Sequence, residues 1–157
     1  MNEHAEPVKL LFLCTGNSCR SQMAEAWAKA VWQDNVRVWS AGTAVHAIDP
    51  HAVRVMEEAG ISMGGHTSTP VSRVLDIGFD YVITVCDNAR ETCPVFPRPV
   101  RALHRSFDDP PLVSQHAKTE QERLDIYRRV RDQIRDFILG LHLHIKELQQ
   151  PPPSPWG

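Results

Sequence analysis

The stretch VKLLFLCTGNSCRSQMAEAW, residues 8–27, decides how this chain folds. Its apolar run VKLLFL is typical of a buried parallel strand, and the run ends on Cys14. Small and polar residues follow as far as Arg20, after which residues 21–33 place apolar side chains on one helical stripe. The stretch therefore predicts a strand, a short loop and a helix, with a thiol and a guanidinium at the two ends of the loop.

The rest of the chain alternates strands with helices. Residues 36–39 predict a second strand, and the β-branched run at 81–86 predicts another, which ends on Cys86. Such alternation indicates an α/β domain with a parallel sheet. In these domains the functional site lies at the carboxyl ends of the strands, so we expect Cys14 and Cys86 at the same edge of the sheet.

Three further helices are predicted from their start signals. Asp49 followed by proline predicts a helix over residues 50–59, and Thr69 followed by proline predicts a short helix over residues 70–78. A capping box at residues 119–122 predicts a long amphipathic helix after it. The buried face of this last helix is predicted from seven apolar side chains at helical spacing: Tyr127, Val130, Ile134, Ile138, Leu141, Ile145 and Leu148.

Composition and charge narrow the class of protein. The chain has 157 residues, 42% of them apolar and 23% charged, which is ordinary for one soluble domain. A net charge of −2 gives no reason to expect nucleic acid or an anionic membrane as a partner. No run approaches the ~18 apolar residues of a membrane span, and the acidic N-terminus is unlike a signal peptide, so we expect a cytoplasmic protein. We predict one catalytic domain over residues 1–148 and a disordered proline-rich tail over residues 149–157.

The loop between the first strand and the first helix has the features of an anion-binding site. The helix N-terminus offers unpaired N–H groups and the positive end of its dipole, and small side chains let the loop amides turn inward. The planar guanidinium of Arg20 matches two oxygens of a tetrahedral oxyanion. The lysine of a nucleotide-binding P-loop is missing. The predicted oxyanion-binding residues are Thr15, Gly16, Asn17, Ser18, Cys19, Arg20 and Ser21.

The same groups act on Cys14. Helix dipole, inward amides and Arg20 favour the thiolate, which predicts a pKa lowered from ~8.5 to between ~3.5 and ~7.5. Ser21 is placed to donate a further hydrogen bond to the sulfur. A thiolate beside a bound oxyanion is a nucleophile for its central atom. The alternative is a buried structural cysteine followed by an arginine at a helix start.

The other cysteines have several interpretations. In a reducing compartment Cys86 and Cys93 are either redox-active or incidental buried residues. Neither their C-x6-C spacing nor the C-x4-C spacing of the loop matches zinc ligands, and we predict no metal site. Cys19 is interpreted as a small loop residue, with protective pairing to Cys14 as the alternative.

The segment CTGNSCRSQMAE, residues 14–25, resembles the signature of the low-molecular-weight phosphotyrosine phosphatase fold, in its arsenate reductase branch. The resemblance implies a single α/β domain with a four-stranded parallel sheet flanked by helices on both faces. It covers about residues 8–140 through five further segments: WSAG (39–42), HTS (66–68), VITVCDNARETCP (82–94), SFDDP (106–110) and YRRVRDQI (127–134).

The resemblance also implies a thiol-based reduction of arsenate to arsenite. The reduction takes two electrons, which two thiols supply when they become a disulfide. The implied relay runs from Cys14 to Cys86 and then to Cys93, with no bound cofactor. An external thiol reductant resets it, either thioredoxin or glutaredoxin with glutathione. We expect phosphate and sulfate to compete with arsenate, and we expect a monomer.

A general acid must protonate the oxygen that leaves arsenic. In SFDDPP, Asp109 immediately precedes a proline, which keeps the backbone of Asp109 extended. The Asp-Pro acid of the family matches Asp109, and we interpret Asp108 as a turn or solvated residue.

The segment between Cys86 and Cys93 must change during the relay. Residues seven apart in a helix lie ~10.5 Å apart along its axis, whereas a disulfide needs Cα atoms within ~7 Å. A helix there must therefore unwind when the two cysteines pair, which predicts a redox-driven change of order over residues 86–96.

Two other functions stay open. A protein tyrosine phosphatase needs only Cys14, Arg20 and Asp109, but Ser18 and Gln22 replace its usual apolar residue and proline, and the two downstream cysteines would have no role. The third hypothesis is a non-enzymatic module that senses oxyanions or redox state through those cysteines. The reductase explains more of the chain.

Other polar residues carry weaker signals. Glu25 and Ser40 match a monovalent-cation site near Asn17 in some relatives, but Thr69 replaces the acidic residue that follows HTS, which leaves the cation open. The histidines, including His66 and His104, are interpreted as structural or surface residues, and the mechanism needs none of them.

Overall fold

The computed structural model describes residues 7–149, so the predicted tail lies outside the described part except for Gln149. In that part, four strands form one parallel sheet: β1 (Val8–Cys14), β2 (Val36–Gly42), β3 (Tyr81–Thr84) and β4 (Arg101–His104). Their order in the sheet is β2-β1-β3-β4. The parallel α/β architecture predicted from the alternation of elements is confirmed.

The strand β1 lies at the centre of the sheet. Its residues 10–13 are all fully buried, although successive side chains of a strand point to opposite faces. Both faces of the sheet are therefore covered at β1, as its continuous apolar run predicted. The β1 register pairs Leu13 with Thr84 of β3, and Cys14 with Gly42 of β2. Cys14 and Cys86 thus follow neighbouring strands at one edge of the sheet, as predicted.

In the described part of the chain, five α-helices connect and cover the strands. The helix α1 packs against β1, β2 and α5, and α2 packs against α5. Their bounds are α1 (Arg20–Trp32), α2 (Pro50–Glu58), α3 (Asp87–Glu91), α4 (Pro110–Val113) and α5 (Glu120–Gln149). Within residues 7–149, no helix has both the length and the hydropathy of a membrane span.

Two predicted helix starts are confirmed by their caps. The backbone N–H of His51 donates to Asp49 Oδ1 at 2.9 Å, and that of Glu122 donates to Thr119 Oγ1 at 3.1 Å. The side chains of two predicted buried residues of α5, Ile145 and Leu148, lie outside those described. The other five are buried as predicted: Tyr127, Val130, Ile134, Ile138 and Leu141.

The helix predicted over residues 70–78 is wrong. Only one 3-10 turn forms there, at Val71–Arg73. The carbonyl oxygen of Thr69 accepts a hydrogen bond from the Gly42 N–H at 2.8 Å, and Pro70 forms a parallel bridge to Gly42 with extended dihedrals. The segment therefore does not begin a helix at Pro70, because it pairs in an extended conformation with Gly42 at the end of β2.

Candidate active site

The loop from Cys14 to Arg20 is held on its outer side by residues 43–49, which we call the strap. Four backbone N–H groups of the strap donate to four carbonyl oxygens of the loop. The N···O pairs are Thr43 to Cys14 at 3.2 Å, Ala44 to Thr15 at 2.8 Å, His46 to Gly16 at 2.9 Å and Asp49 to Ser18 at 2.9 Å. Because the strap takes up these four carbonyl oxygens, the loop N–H groups are left for an anion in the space that the loop encloses.

Asn17 fixes the shape of this loop from inside. It is fully buried and has a φ of +49°, a left-handed conformation that asparagine tolerates better than most residues. Its amide nitrogen donates to Ser21 Oγ at 2.8 Å and to Ser40 Oγ at 2.9 Å, while its Oδ1 accepts from the Thr69 N–H at 2.8 Å. Asn17 therefore ties together β2, α1 and the segment after residue 66.

Gly42 makes the close approach of β2 to the loop sterically possible. A Cβ atom at Gly42 would lie 2.7 Å from the carbonyl oxygen of Thr15 and 2.9 Å from the nitrogen of Asn17. Both contacts are with backbone atoms, which do not move aside as a flexible side chain would. Position 42 therefore accepts only glycine without a shift of the loop.

A polar cluster lies beneath the loop, at the residues whose cation role the sequence left open. Ser40 Oγ donates to Glu25 Oε1, and the ammonium of Lys29 lies 2.5 Å from Glu25 Oε2. His66 Nδ1 lies 3.7 Å from Glu25 and 2.8 Å from the Gln22 side-chain oxygen. The chain itself thus supplies a positive charge to Glu25. No group of three or more His, Cys, Asp or Glu residues suited to a metal ion occurs within residues 7–149.

A cavity of about 280 Å³ opens above the loop. Cys14 lies at the strand end, and the Arg20 side chain, only 12% exposed, enters from the start of α1. Arg20 Nη1 donates to the Phe107 carbonyl at 3.1 Å, and within the described residues its buried Nε has no hydrogen-bond partner. An unpaired, buried guanidinium N–H beside an anion-binding loop indicates a site for an anionic ligand. The cavity is lined by Cys14, Thr15, Gly16, Ser18, Cys19, Arg20, His46, Asp109 and Pro111.

The two adjacent aspartates have different surroundings. Asp109 lines the cavity, 3.7 Å from Arg20 Nη2, and its backbone is extended before Pro110. Asp108 is more exposed and pairs with Arg129 of α5 at 3.2 Å. Asp109 therefore lies at the cavity above the oxyanion loop, whereas Asp108 is paired with Arg129 and does not line that cavity.

Cys86 lies beside the loop, two residues after β3, which ends at Thr84 and not at Cys86 as predicted, and it is as buried as Cys14. Its sulfur lies 3.3 Å from Thr15 Oγ1 and accepts a hydrogen bond from the Ala89 N–H at 3.4 Å. Asn88 donates its side-chain N–H to the same Thr15 oxygen at 2.9 Å, so the Thr15 hydroxyl hydrogen is left to point at Cys86. These contacts stabilise a thiolate at Cys86.

The pKa of Cys14 is raised, not lowered as predicted. Interaction with the Cys86 thiol and burial raise the pKa of Cys14 above its ordinary value, despite the opposing effect of Arg20. The same interaction, helped by the Thr15 hydroxyl and the Ala89 N–H, lowers the pKa of Cys86 to about 5. The two thiols are coupled, and the contacts of Cys86 with Thr15 and Ala89 favour the negative charge on Cys86. At Cys14 the hydrogen bond expected from Ser21 is donated by its backbone N–H.

We expect the variant Cys14→Ala to raise the pKa of Cys86 from about 5 toward its ordinary 9.0, since the Cys14 thiol is the largest influence that lowers it. A thiol with a low pKa is ionised above that pKa, so Cys86 of the unmodified protein stays reactive throughout the neutral range. In the variant its reactivity falls as the pH drops below the raised pKa. The pH dependence of iodoacetamide modification at Cys86, followed by mass spectrometry, measures the midpoint, and Cys19→Ala serves as the control. An equal pH midpoint for Cys86 in all three proteins would contradict the coupling of the Cys14 and Cys86 thiols.

The remaining cysteines differ in exposure. Cys93 follows α3, is half-buried, and its thiol donates weakly to the Pro94 carbonyl at 3.7 Å. Burial raises the pKa of Cys93, and Val95 two residues on is 94% exposed. Cys19 is buried at the start of α1, and burial raises its pKa as well. Its interpretation as a small loop residue agrees with this placement.

Sequence reasoning missed His46. This strap residue lines the cavity, and its imidazole covers Gly16 so closely that a Cβ there would lie 2.8 Å from the ring. No local pattern marks His46, because it reaches the site only through the pairing of β2 with β1 and the hydrogen bonds of the strap.

A thiol, a guanidinium and a carboxyl surround the cavity above the oxyanion loop at the edge of a parallel sheet, with a second thiol beside the first. These features define a cysteine-dependent α/β domain that handles tetrahedral oxyanions. The chain belongs to the family "Low molecular weight phosphotyrosine protein phosphatase", whose sequence model matches residues 9–151.

Similar proteins in this family carry reductase names. The arsenate reductase of Bacillus subtilis (strain 168) is 43% identical over 125 residues, which cover 80% of this chain and 88% of that protein. A solved structure described as an arsenate reductase in the phosphate binding state is 31% identical, with a TM-score of 0.65, and covers 85% of this chain and 95% of its own. Another solved structure, described as an arsenate reductase in oxidized state, is 28% identical with a TM-score of 0.67. The match covers 87% of this chain and 98% of that one. The family and fold implied by the sequence resemblance are confirmed.

Proposed function

We propose that this protein is a thiol-dependent arsenate reductase that works through Cys14, Cys86 and Cys93. The observation that carries the proposal is the pair of buried thiols beside an unpaired guanidinium N–H, an arrangement that binds an oxyanion and supplies two electrons. The relatives named arsenate reductase, and the related structures described in phosphate-binding and oxidized states, support it.

In the first step the loop amides and Arg20 hold three arsenate oxygens, and the Cys14 sulfur attacks arsenic. The Cys14 proton passes to an arsenate oxygen, so Cys86 keeps the negative charge that it needs for the next step. A sulfur–arsenic bond forms, and the fourth oxygen leaves as water with a proton from Asp109. No electron transfer to arsenic has taken place at this point.

In the second step the Cys86 thiolate attacks the Cys14 sulfur. The Cys14–Cys86 bond forms, the sulfur–arsenic bond breaks, and its electron pair remains on arsenic, which leaves as arsenite. In the third step the Cys93 thiolate attacks Cys86, releases Cys14 as a thiolate and leaves a Cys86–Cys93 disulfide. An external dithiol then reduces that disulfide, and both protein thiols are restored.

The third step requires a rearrangement of α3, because its five residues and Thr92 separate the two cysteines. We expect the amides of residues 86–96 to lose hydrogen-exchange protection when Cys86 and Cys93 pair. Mass-spectrometric hydrogen exchange on the reduced and oxidised proteins measures this, with α1 as the internal reference. Equal protection of residues 86–96 in the two forms would contradict the proposed opening of the helix.

We expect the variant Asp109→Asn to lower arsenate turnover by about 10²- to 10³-fold, because an amide cannot donate the proton that the leaving oxygen needs. The matched control is Asp108→Asn, which removes an exposed ion pair with Arg129 and should change turnover less than about twofold. Steady-state rates of arsenite formation measure both. Equal losses in the two variants would remove Asp109 as the acid.

The proposed function also needs an external reductant and a compartment that contains it. A disulfide between Cys86 and Cys93 next to the exposed Val95 suits a protein dithiol such as thioredoxin, with glutaredoxin and glutathione as the alternative source of electrons. Such reductants operate in the cytoplasm, where we place this protein as a monomer.

The central test is arsenate-dependent NADPH oxidation with thioredoxin and thioredoxin reductase supplied, repeated with glutaredoxin, glutathione and glutathione reductase.

The second candidate function, phosphatase, rests on the complete set of Cys14, Arg20 and Asp109 around the cavity. Hydrolysis of p-nitrophenyl phosphate measures it. Fast ester hydrolysis without arsenate-dependent NADPH oxidation would favour the phosphatase and overturn the reductase.

A further inference from the structure

His104 contacts residues on both sides of Cys86 in the chain. It is the last residue of β4, and its imidazole is about three-quarters buried. Nδ1 lies 2.7 Å from Thr84 Oγ1, and Nε2 lies 3.0 Å from Asp87 Oδ1. Thr84 is the last residue of β3, and Asp87 is the first residue of α3. One side chain thus connects the end of the strand before Cys86 with the start of the helix after it.

The two partners of His104 belong to different parts of the relay. Thr84 lies in the core of the sheet, paired with Leu13 of β1. Asp87 is exposed and belongs to the segment that must unwind for the Cys86–Cys93 disulfide to form. The imidazole therefore joins a fixed strand to the first residue of the changing segment.

We propose that His104 is a positioning residue of the thiol relay. It keeps α3 helical and so favours the reduced over the oxidised form of the Cys86–Cys93 pair. The inference rests on the proposed function, since it concerns the second disulfide of that relay. His104 does not contact arsenate or a reacting sulfur. It acts through Asp87 and Thr84, which flank Cys86 in the chain.

The contacts of His104 affect the redox equilibrium because the reduced and oxidised forms do not keep them equally. Both imidazole contacts are present in the reduced protein, and unwinding from Asp87 onward removes the contact with α3. A contact present in the reduced form and lost in the oxidised form stabilises the dithiol, which makes its disulfide easier to reduce. A merely structural role of His104 would stabilise both forms alike and leave the equilibrium unchanged.

The test uses the full chain with Cys14→Ser and Cys19→Ser, which leaves Cys86 and Cys93 as its only thiols. The protein is equilibrated with mixtures of reduced and oxidised dithiothreitol, and thiols are counted after alkylation. Adding His104→Ala should shift the equilibrium toward the disulfide by about three- to tenfold. Tenfold corresponds to about 30 mV for this two-electron couple. His104→Gln, whose amide reaches only one partner at a time, should give a smaller shift in the same direction.

The matched control is Arg101→Ala. Arg101 lies on the same strand and donates to the Tyr81 hydroxyl of β3 at 3.2 Å, without a hydrogen bond or ion pair to α3 among the described residues. It should leave the equilibrium unchanged. Equal equilibria with and without His104, a shift toward the dithiol, or equal shifts in the His104 and Arg101 variants would each overturn the inference. Absence of a Cys86–Cys93 disulfide even when His104 is present would instead overturn the relay of the proposed function.

Discussion

Replacing Cys14 by serine should lower arsenate turnover by at least about 10⁴-fold, a loss typical of a removed nucleophile. A serine hydroxyl is hardly ionised at neutral pH, and it cannot form the sulfur–arsenic bond or the first disulfide. Arg20 and the loop amides remain in place, so the variant should still bind the oxyanion. Arsenate-dependent NADPH oxidation measures turnover, and isothermal calorimetry with arsenate measures binding.

The matched control for this prediction is Cys19→Ser. Cys19 is buried in the same loop and lines the same cavity, but its sulfur has no role in the proposed steps. The serine should retain turnover within about threefold, apart from the cost of burying a hydroxyl. If the Cys19 variant lost as much activity as the Cys14 variant, the assignment of the nucleophile would fail.

Replacing Cys93 by serine should stop the enzyme after one turnover. The first two steps need only Cys14 and Cys86, so about one arsenite per protein molecule should appear in a burst. The steady-state rate should then fall by on the order of 10³-fold, because the Cys14–Cys86 disulfide lies among buried residues where a protein reductant does not reach it. Quenched-flow arsenite measurement gives the burst, and mass spectrometry of the quenched protein identifies the disulfide.

The Cys86→Ser variant separates this explanation from a general loss of activity. It lacks the thiol that releases arsenite, so it should show no burst and should accumulate the Cys14 adduct. Sustained turnover of Cys93→Ser with a protein reductant would remove the third thiol from the mechanism.

Much of the site could be predicted from residues 8–27, because its signals are local. An apolar run that ends on Cys14, followed by small residues and a helical stripe, specifies the loop without knowledge of the rest of the chain. The place of Cys86 followed from a general property of parallel sheets, and the order β2-β1-β3-β4 confirms it. Asp109 was distinguished from Asp108 by the backbone restriction of the following proline, and the cavity lining agrees.

The features that could not be predicted depend on contacts between distant segments. The pKa of Cys14 is raised by Cys86, which is 72 residues away, and the sequence pattern gives no distance between the two sulfurs. The Thr69 start signal failed because Gly42 holds the next residues extended. His46 reaches the cavity only through the hydrogen bonds between the strap and the loop.

The unpaired Nε of Arg20 has a consequence for how such an enzyme would work in a cell. A tetrahedral anion that accepts a hydrogen bond from this N–H binds the folded protein and therefore stabilises it by mass action. Inorganic phosphate has the shape and charge of arsenate and would fill the site between exposures to the toxin. Turnover by a reductase of this kind would then depend on the ratio of arsenate to phosphate, because the two anions would compete for one cavity.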